Sequence, residues 1–106
     1  MTGDVILWCR DGTSDKLWGV ADYQGRRITF WGRRNRELSF KLLSASEQRK
    51  IEKTIEGKKA KGYRETSFYE LERETEGFKA EFDQMLLVAI LGDNYKHTSV
   101  ATLAGK

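Results

Sequence analysis

The chain has 106 residues, 39% of them hydrophobic and 33% charged, with one cysteine, one histidine and no proline. This length supports one domain with a core of its own, and the lone Cys9 excludes an internal disulfide. A net charge of +3 conceals an uneven distribution: residues 23–64 carry 13 basic against 4 acidic side chains, and residues 65–106 carry 4 against 8.

In chain order, "DVILWCRD" (4–11) reads as a strand closed by the turn signal Asp11-Gly12-Thr13. "KLWGVAD" (16–22) reads as a second strand, with Gly25 in the turn that follows. "RITFWGR" (27–33) and "ELSFKLL" (37–43) complete an antiparallel meander, because the connections are too short for crossovers. Alternation along the third strand puts Ile28, Phe30 and Gly32 on one face, and Arg27, Thr29, Trp31 and Arg33 on the other. The fourth strand divides into Leu38, Phe40 and Leu42 against Glu37, Ser39 and Lys41. The two apolar faces coincide only if opposed residue numbers sum to an even value. A three-residue loop, Arg34-Asn35-Arg36, meets that condition and sets Phe30 opposite Phe40, Trp31 opposite Ser39 and Arg33 opposite Glu37. Trp31 then lies opposite the core face, either displayed between arginines or covered by the final helix. Trp18 reads as core beside Val20, and Trp8 as half-buried.

A helix follows. Ser44 and Glu47 match a capping box, Ile51 and Ile55 lie one turn apart, and Gly62 suits the position after the last turn. Lys58, Lys59 and Lys61 either complement the negative end of the helix dipole or join a polyanion site. Further on, Phe68, Leu71, Thr75, Phe78, Phe82, Met85 and Ala89 recur at intervals of three and four, which predicts a helix over about 78–91. Before Gly77 the stripe also favours a helix, less strongly, since Glu70, Glu72, Glu74 and Glu76 alternate as in a strand, and 92–106 read as an exit loop and tail. The expected fold class is α+β, a small antiparallel meander with a helix packed across one face. Residues 1–65 form the domain, and 66–106 an acidic helical extension packed on it.

No nucleophile–base pair, phosphate-cradling loop or pair of catalytic carboxylates can be assembled, so an enzyme is not expected. Neither a cofactor nor a metal is expected. His97 has no neighbouring ligands, and the glutamates at 70–76 lack the calcium-loop pattern and read as a solvated face. Cys9 reads as a small interior hydrophobe, with a reactive thiol as the alternative. "MTGDVILWCRDG" has no basic n-region, and the longest apolar run, "MLLVAIL" (85–91), is far short of the roughly 20 residues of a membrane helix. The expectation is a soluble protein of the bacterial cytoplasm with no membrane partner.

Three blocks in order carry a family resemblance: "SDKLWGV" (14–20), "ITFWGRR" (28–34) and "KIEKTIEGKKAKGY" (50–63). They resemble the WGR domain, the module of poly(ADP-ribose) polymerases and small bacterial proteins named for the triplet that appears here as Trp31-Gly32-Arg33. The resemblance covers about residues 3–65. Where the family continues Ile-Gly-Thr-x-Gly-Gln, this chain has "RNRELS". The resemblance implies a strand meander crossed by a helix, and binding of nucleic acid, with Trp31 packed on sugar or base at a duplex end and Arg33 on the backbone or a partner domain.

The same partner follows from the residues. An indole stacks on an exposed base, and guanidiniums neutralise phosphates without reading sequence. The expected binding residues are Trp31, Gly32 and Arg33, with Arg26, Arg27, Arg34, Arg36 and Lys41 on phosphates and Lys58, Lys59 and Lys61 as secondary contacts. DNA is expected in preference to RNA. The alternative is a protein adaptor or homodimer using an apolar helix face of Phe78, Phe82, Met85 and Ile90. A third possibility is that the acidic end folds over the basic block and weakens polyanion binding.

Overall fold

A computed structural model describes residues 4–34 and 36–97. Five strands form one antiparallel sheet in the order β4-β3-β2-β1-β5. They are β1 (Val5–Asp11), β2 (Ser14–Tyr23), β3 (Arg26–Arg33), β4 (Ser39–Leu42) and β5 (Arg64–Thr66). The helices are α1 (Ala45–Arg49), α2 (Ile51–Ala60), α3 (Phe68–Glu74) and α4 (Phe78–His97).

Two tight turns set the register of the first three strands. In the second, Gln24 and Gly25 both have positive φ, at 51° and 80°, the type I′ pattern that matches strand twist. Opposed residues there sum to 49, placing Trp18 beside Trp31, Lys16 beside Arg33 and Gly19 beside Phe30. The β3–β4 pairing has the expected register, Phe30 opposite Phe40 and Trp31 opposite Ser39. The ladder stops there, so Arg33 has no paired Glu37, and Asn35 lies outside the described residues.

Both faces of the sheet are covered. On one, Ile6, Leu17, Ala21, Ile28 and Phe30 meet Leu71 of α3 and Phe78, Phe82 and Leu86 of α4. Phe82 sits at the hub, with ring centroids 4.8 Å from Phe30, 5.4 Å from Phe40 and 4.9 Å from Phe68, all edge-on. Gly19 makes room here: a Cβ on it would lie 2.3 Å from the Phe30 ring. On the other face, Leu7, Trp18 and Val20 pack against Leu43, Ile51, Ile55 and Tyr63.

The segment from Ser44 to Gly62 departs from one continuous helix. The capping box is present, with Ser44 Oγ accepting from the Glu47 N–H and Glu47 Oε1 accepting from the Ser44 N–H. The helix then breaks at Lys50, whose N–H bonds back only three residues to Glu47, and the Thr54 hydroxyl donates to the Lys50 carbonyl. At its far end the Tyr63 and Gly62 N–H groups donate to the carbonyls of Lys58 and Lys59, a Schellman closure with Gly62 at C′.

After Tyr63 the structure bears out the helix before Gly77, adds a strand, and corrects the end of the last helix and the reading of the glutamates. The chain after Tyr63 adds an edge strand, β5, on β1, which had no sequence signal. The alternating "YELERETE" is helical in α3, capped by Ser67, and α4 runs to His97 instead of ending at 91. The 70–76 glutamates are more than a solvated face. Glu72 accepts from the Gly77 and Lys79 N–H groups and caps the start of α4, and Glu74 lies 3.7 Å from Arg10. Those two backbone bonds, Lys79's foremost, hold the Glu72 carboxyl below its usual range.

Candidate nucleic-acid interface

Trp31 stands where the α1–α2 layer thins. That layer packs over β1 and β2, burying Trp18, and leaves Trp31 on β3 40% exposed. The C-terminal helices lie on the opposite, Phe30 face, so neither they nor their acidic residues cover the indole. A groove of about 260 Å³ opens beside it, lined by Trp18, Thr29, Trp31, Lys41, Lys50 and Thr54.

Glu47 is the one carboxylate in this groove lining. Its Oε2 accepts from Lys41 Nζ at 2.6 Å. That bond first, and the Ser44 N–H second, draw its carboxyl down to about 2. Lys41 is thereby partly neutralised, whereas no ion pair engages Lys50 among the described residues.

The residues predicted to bind divide into three sets. Arg33 stands on the Trp31 face two residues on, exposed, with Nη2 donating to the Thr13 carbonyl at 3.0 Å. Lys41, paired with Thr29, lines the groove on the other side of Trp31. Lys58 and Lys61 approach from the α2 end, next to Lys16, while Lys59 is held by Glu65 at 2.6 Å. These share one face.

Arg26 and Arg27 lie at the other end of β3. Four residues separate Arg27 from Trp31, about 13 Å of strand. Arg27 is also engaged, donating to Asp22 at 3.1 Å and to Gln48 at 3.2 Å.

Arg34 and Arg36 turn to the opposite side. Arg34 forms a fork on Asp15, with Nη2 at 2.9 Å, donates to Thr75, and stacks 5.1 Å from the Trp8 ring centroid. Trp8 Nε1–H also donates to Asp15 at 2.6 Å. Burial raises the Asp15 pKa, but the hydrogen bonds from Arg34 and Trp8 and the charges of Arg34 and Arg10 outweigh it and leave the carboxyl below its ordinary range. Arg34 is a structural tie between β2, β3 and α3. Arg36 is exposed beside a cavity of about 530 Å³ shared with Phe78 and Met85.

Gly32 explains the order of the triplet. Its φ of +143° is open to glycine and strained for other residues, and a Cβ there would meet Leu38 Cδ2 at 3.1 Å. The Leu38 N–H in turn donates to the Met85 sulfur. Strand alternation directs Arg33 and Arg34 to different faces, and the bare glycine gives Leu38 room beside it.

Lys16 and Lys50 were absent from the expected contacts. The signal for Lys16 was the Gln24-Gly25 turn, whose two-residue register sets it opposite Arg33; Lys50 depends on how α2 packs, which no local pattern encodes.

The adaptor surface is overturned as drawn. Phe78 and Phe82 are buried in the core and Met85 is half-buried against it; the side chains of Ile90 and His97, and residues 98–106, lie outside what the structure describes. Among the described residues no group of three or more His, Cys, Asp or Glu is placed to hold a metal, and no helix is long and apolar enough to cross a membrane.

Compared with known proteins, the chain matches no family model, no curated protein and no solved structure. The likeness to the WGR domain therefore rests on its three motif blocks.

Proposed function

We propose that this protein is a non-catalytic module that binds nucleic acid, DNA in preference to RNA, at duplex or strand ends without reading sequence. The observation that carries the reading is the exposed Trp31 indole, bordered on its own face by Arg33, Lys41 and Lys50. A base or sugar stacked on that ring gains about 1–3 kcal/mol, and the cations supply salt-dependent attraction to phosphates. The WGR-like blocks support the same partner and a place in the bacterial cytoplasm. Arg26, Arg27 and Arg34, being remote or engaged, are not among the proposed contacts.

Titration of fluorescent duplex DNA at low and moderate salt tests the reading. The wild type binds, more weakly as salt rises, and Trp31→Ala/Arg33→Ala loses at least tenfold in affinity. Equal affinity in the double variant, or no binding at low salt, defeats it.

A further inference from the structure

We infer that Lys16, Lys58 and Lys61, together with Arg33, form a phosphate-binding subsite one step along the sheet from Trp31, which takes the backbone of the strand whose end stacks on the indole. That the phosphates belong to a nucleic acid rests on the function proposed above. The subsite itself rests on the geometry of the cluster.

The cluster is built from three elements. Lys16 of β2 is paired with Arg33 of β3 on one side and Cys9 of β1 on the other, a row across three strands. Adjacent strands stand about 4.8 Å apart, so these side chains rise from the same face at close intervals. The end of α2 comes down on this row because Tyr63, just past the Schellman closure, packs into the Leu7–Trp18–Val20 cluster. Lys58 follows, its Nζ 5.2 Å from the Tyr63 ring centroid. Burial lowers the Lys58 ammonium's pKa, and the Lys61 and Lys16 charges lower it further.

Like charges drawn together in a fold oppose folding unless something compensates them. Among the described residues no carboxylate comes within ion-pair distance of Lys16, Lys58, Lys61 or Arg33. The neighbouring cations are treated differently: Lys59 has Glu65 and Lys41 has Glu47. Nor are the lysines needed to close the helix, since the Lys58 and Lys59 carbonyls already accept from Tyr63 and Gly62. An uncompensated set of four cations beside an open aromatic ring fits a chain of phosphates whose terminal base or sugar reaches that ring. On the opposite border of Trp31, Glu47 matches the Lys41 charge and leaves Lys50, among the described residues, as the one unpaired cation of the groove lining, against four on this side. The strand accordingly leaves Trp31 toward Arg33 and α2's last turn.

Two measurements test this on the full chain. In salt titrations of duplex DNA, Lys16→Gln/Lys58→Gln should reduce the slope of log K against log salt by about 2, near one per lost phosphate contact. Trp31→Ala should lower affinity about 5- to 150-fold and leave the slope unchanged. Arg26→Gln, a matched charge loss at the far end of β3, should leave the slope unchanged as well. Should the double variant melt early, Lys61→Gln on the exposed helix end replaces it, with an expected slope change of about 1. In the second measurement, inorganic tripolyphosphate, which has neither base nor sugar, should shift the amide resonances of residues 16, 33, 58 and 61 equally in wild type and Trp31→Ala.

A slope unchanged by the lysine substitutions, or tripolyphosphate shifts spread over the surface or absent from these four residues, overturns the subsite. Localised tripolyphosphate shifts without any DNA binding support the subsite and reject the nucleic-acid reading instead.

Discussion

Gly32 and Trp31 are neighbours with separate roles: the one holds a φ of +143° against Leu38, and the other is 40% exposed beyond the α1–α2 layer. Gly32→Ala forces a side chain into a disfavoured backbone state and against Leu38, at a cost of about 1–3 kcal/mol. The loss should appear as a lower urea midpoint with an unchanged m-value. Trp31→Ala should lower the midpoint as well, because more than half of the ring is covered, beside Trp18 on the neighbouring strand. Glu47 gives a second test. Its folded pKa of about 2 lies below the ordinary value of 4.5, so its contribution to stability is complete above about 4.5 and fades as pH falls toward 2. Glu47→Gln should flatten that part of the acid limb in pH-dependent melting, and an unaltered limb would show the Lys41 contact to be idle.

At the level of the elements, what was legible is what is encoded by near neighbours. Alternation in β3 and β4 and the single apolar match between Phe30 and Phe40 determined the register across the Arg34–Arg36 loop. The capping box of Ser44 and Glu47 and the Lys-Gly-Tyr ending of α2 were equally local. Ser44→Ala should cost about 1 kcal/mol, read as a shift in the thermal midpoint. The illegible parts depend on distant partners. β5 is a strand because β1 offers it a free edge, and Arg34 left the expected site because Asp15, 19 residues away in sequence, holds it on the other side. Within the candidate site, strand alternation put Trp31 on the face away from Phe30. The choice between a displayed and a covered ring depended on helix docking, which buries Trp18 on that same face and leaves Trp31 40% exposed. The grouping of Lys16 with Lys58 likewise required the docking of Tyr63 to be known.

Seen as a whole, the molecule is a sheet between two helical layers, and each layer is needed. α3 and α4 supply Leu71, Phe78, Phe82 and Leu86 to the core shared with Phe30. A fragment lacking residues 67–106 would expose that face, and should lose its cooperative thermal transition by circular dichroism; a sharp transition near that of the full chain would contradict the shared core. The acidic helices pack on the Phe30 side, where they meet Arg34 and Arg36 of the basic block but do not fold over Trp31 and the lysines of the opposite face.

The opposed layers give the molecule two electrically unlike sides. The exposed carboxylates of Glu70 and Glu81 ride on the helices that back the sheet, with Glu76 in the link between them, behind the lysines and the indole. On the function proposed above, a duplex end held at the front faces away from these carboxylates, and one copy offers it a single stacking surface, the Trp31 indole.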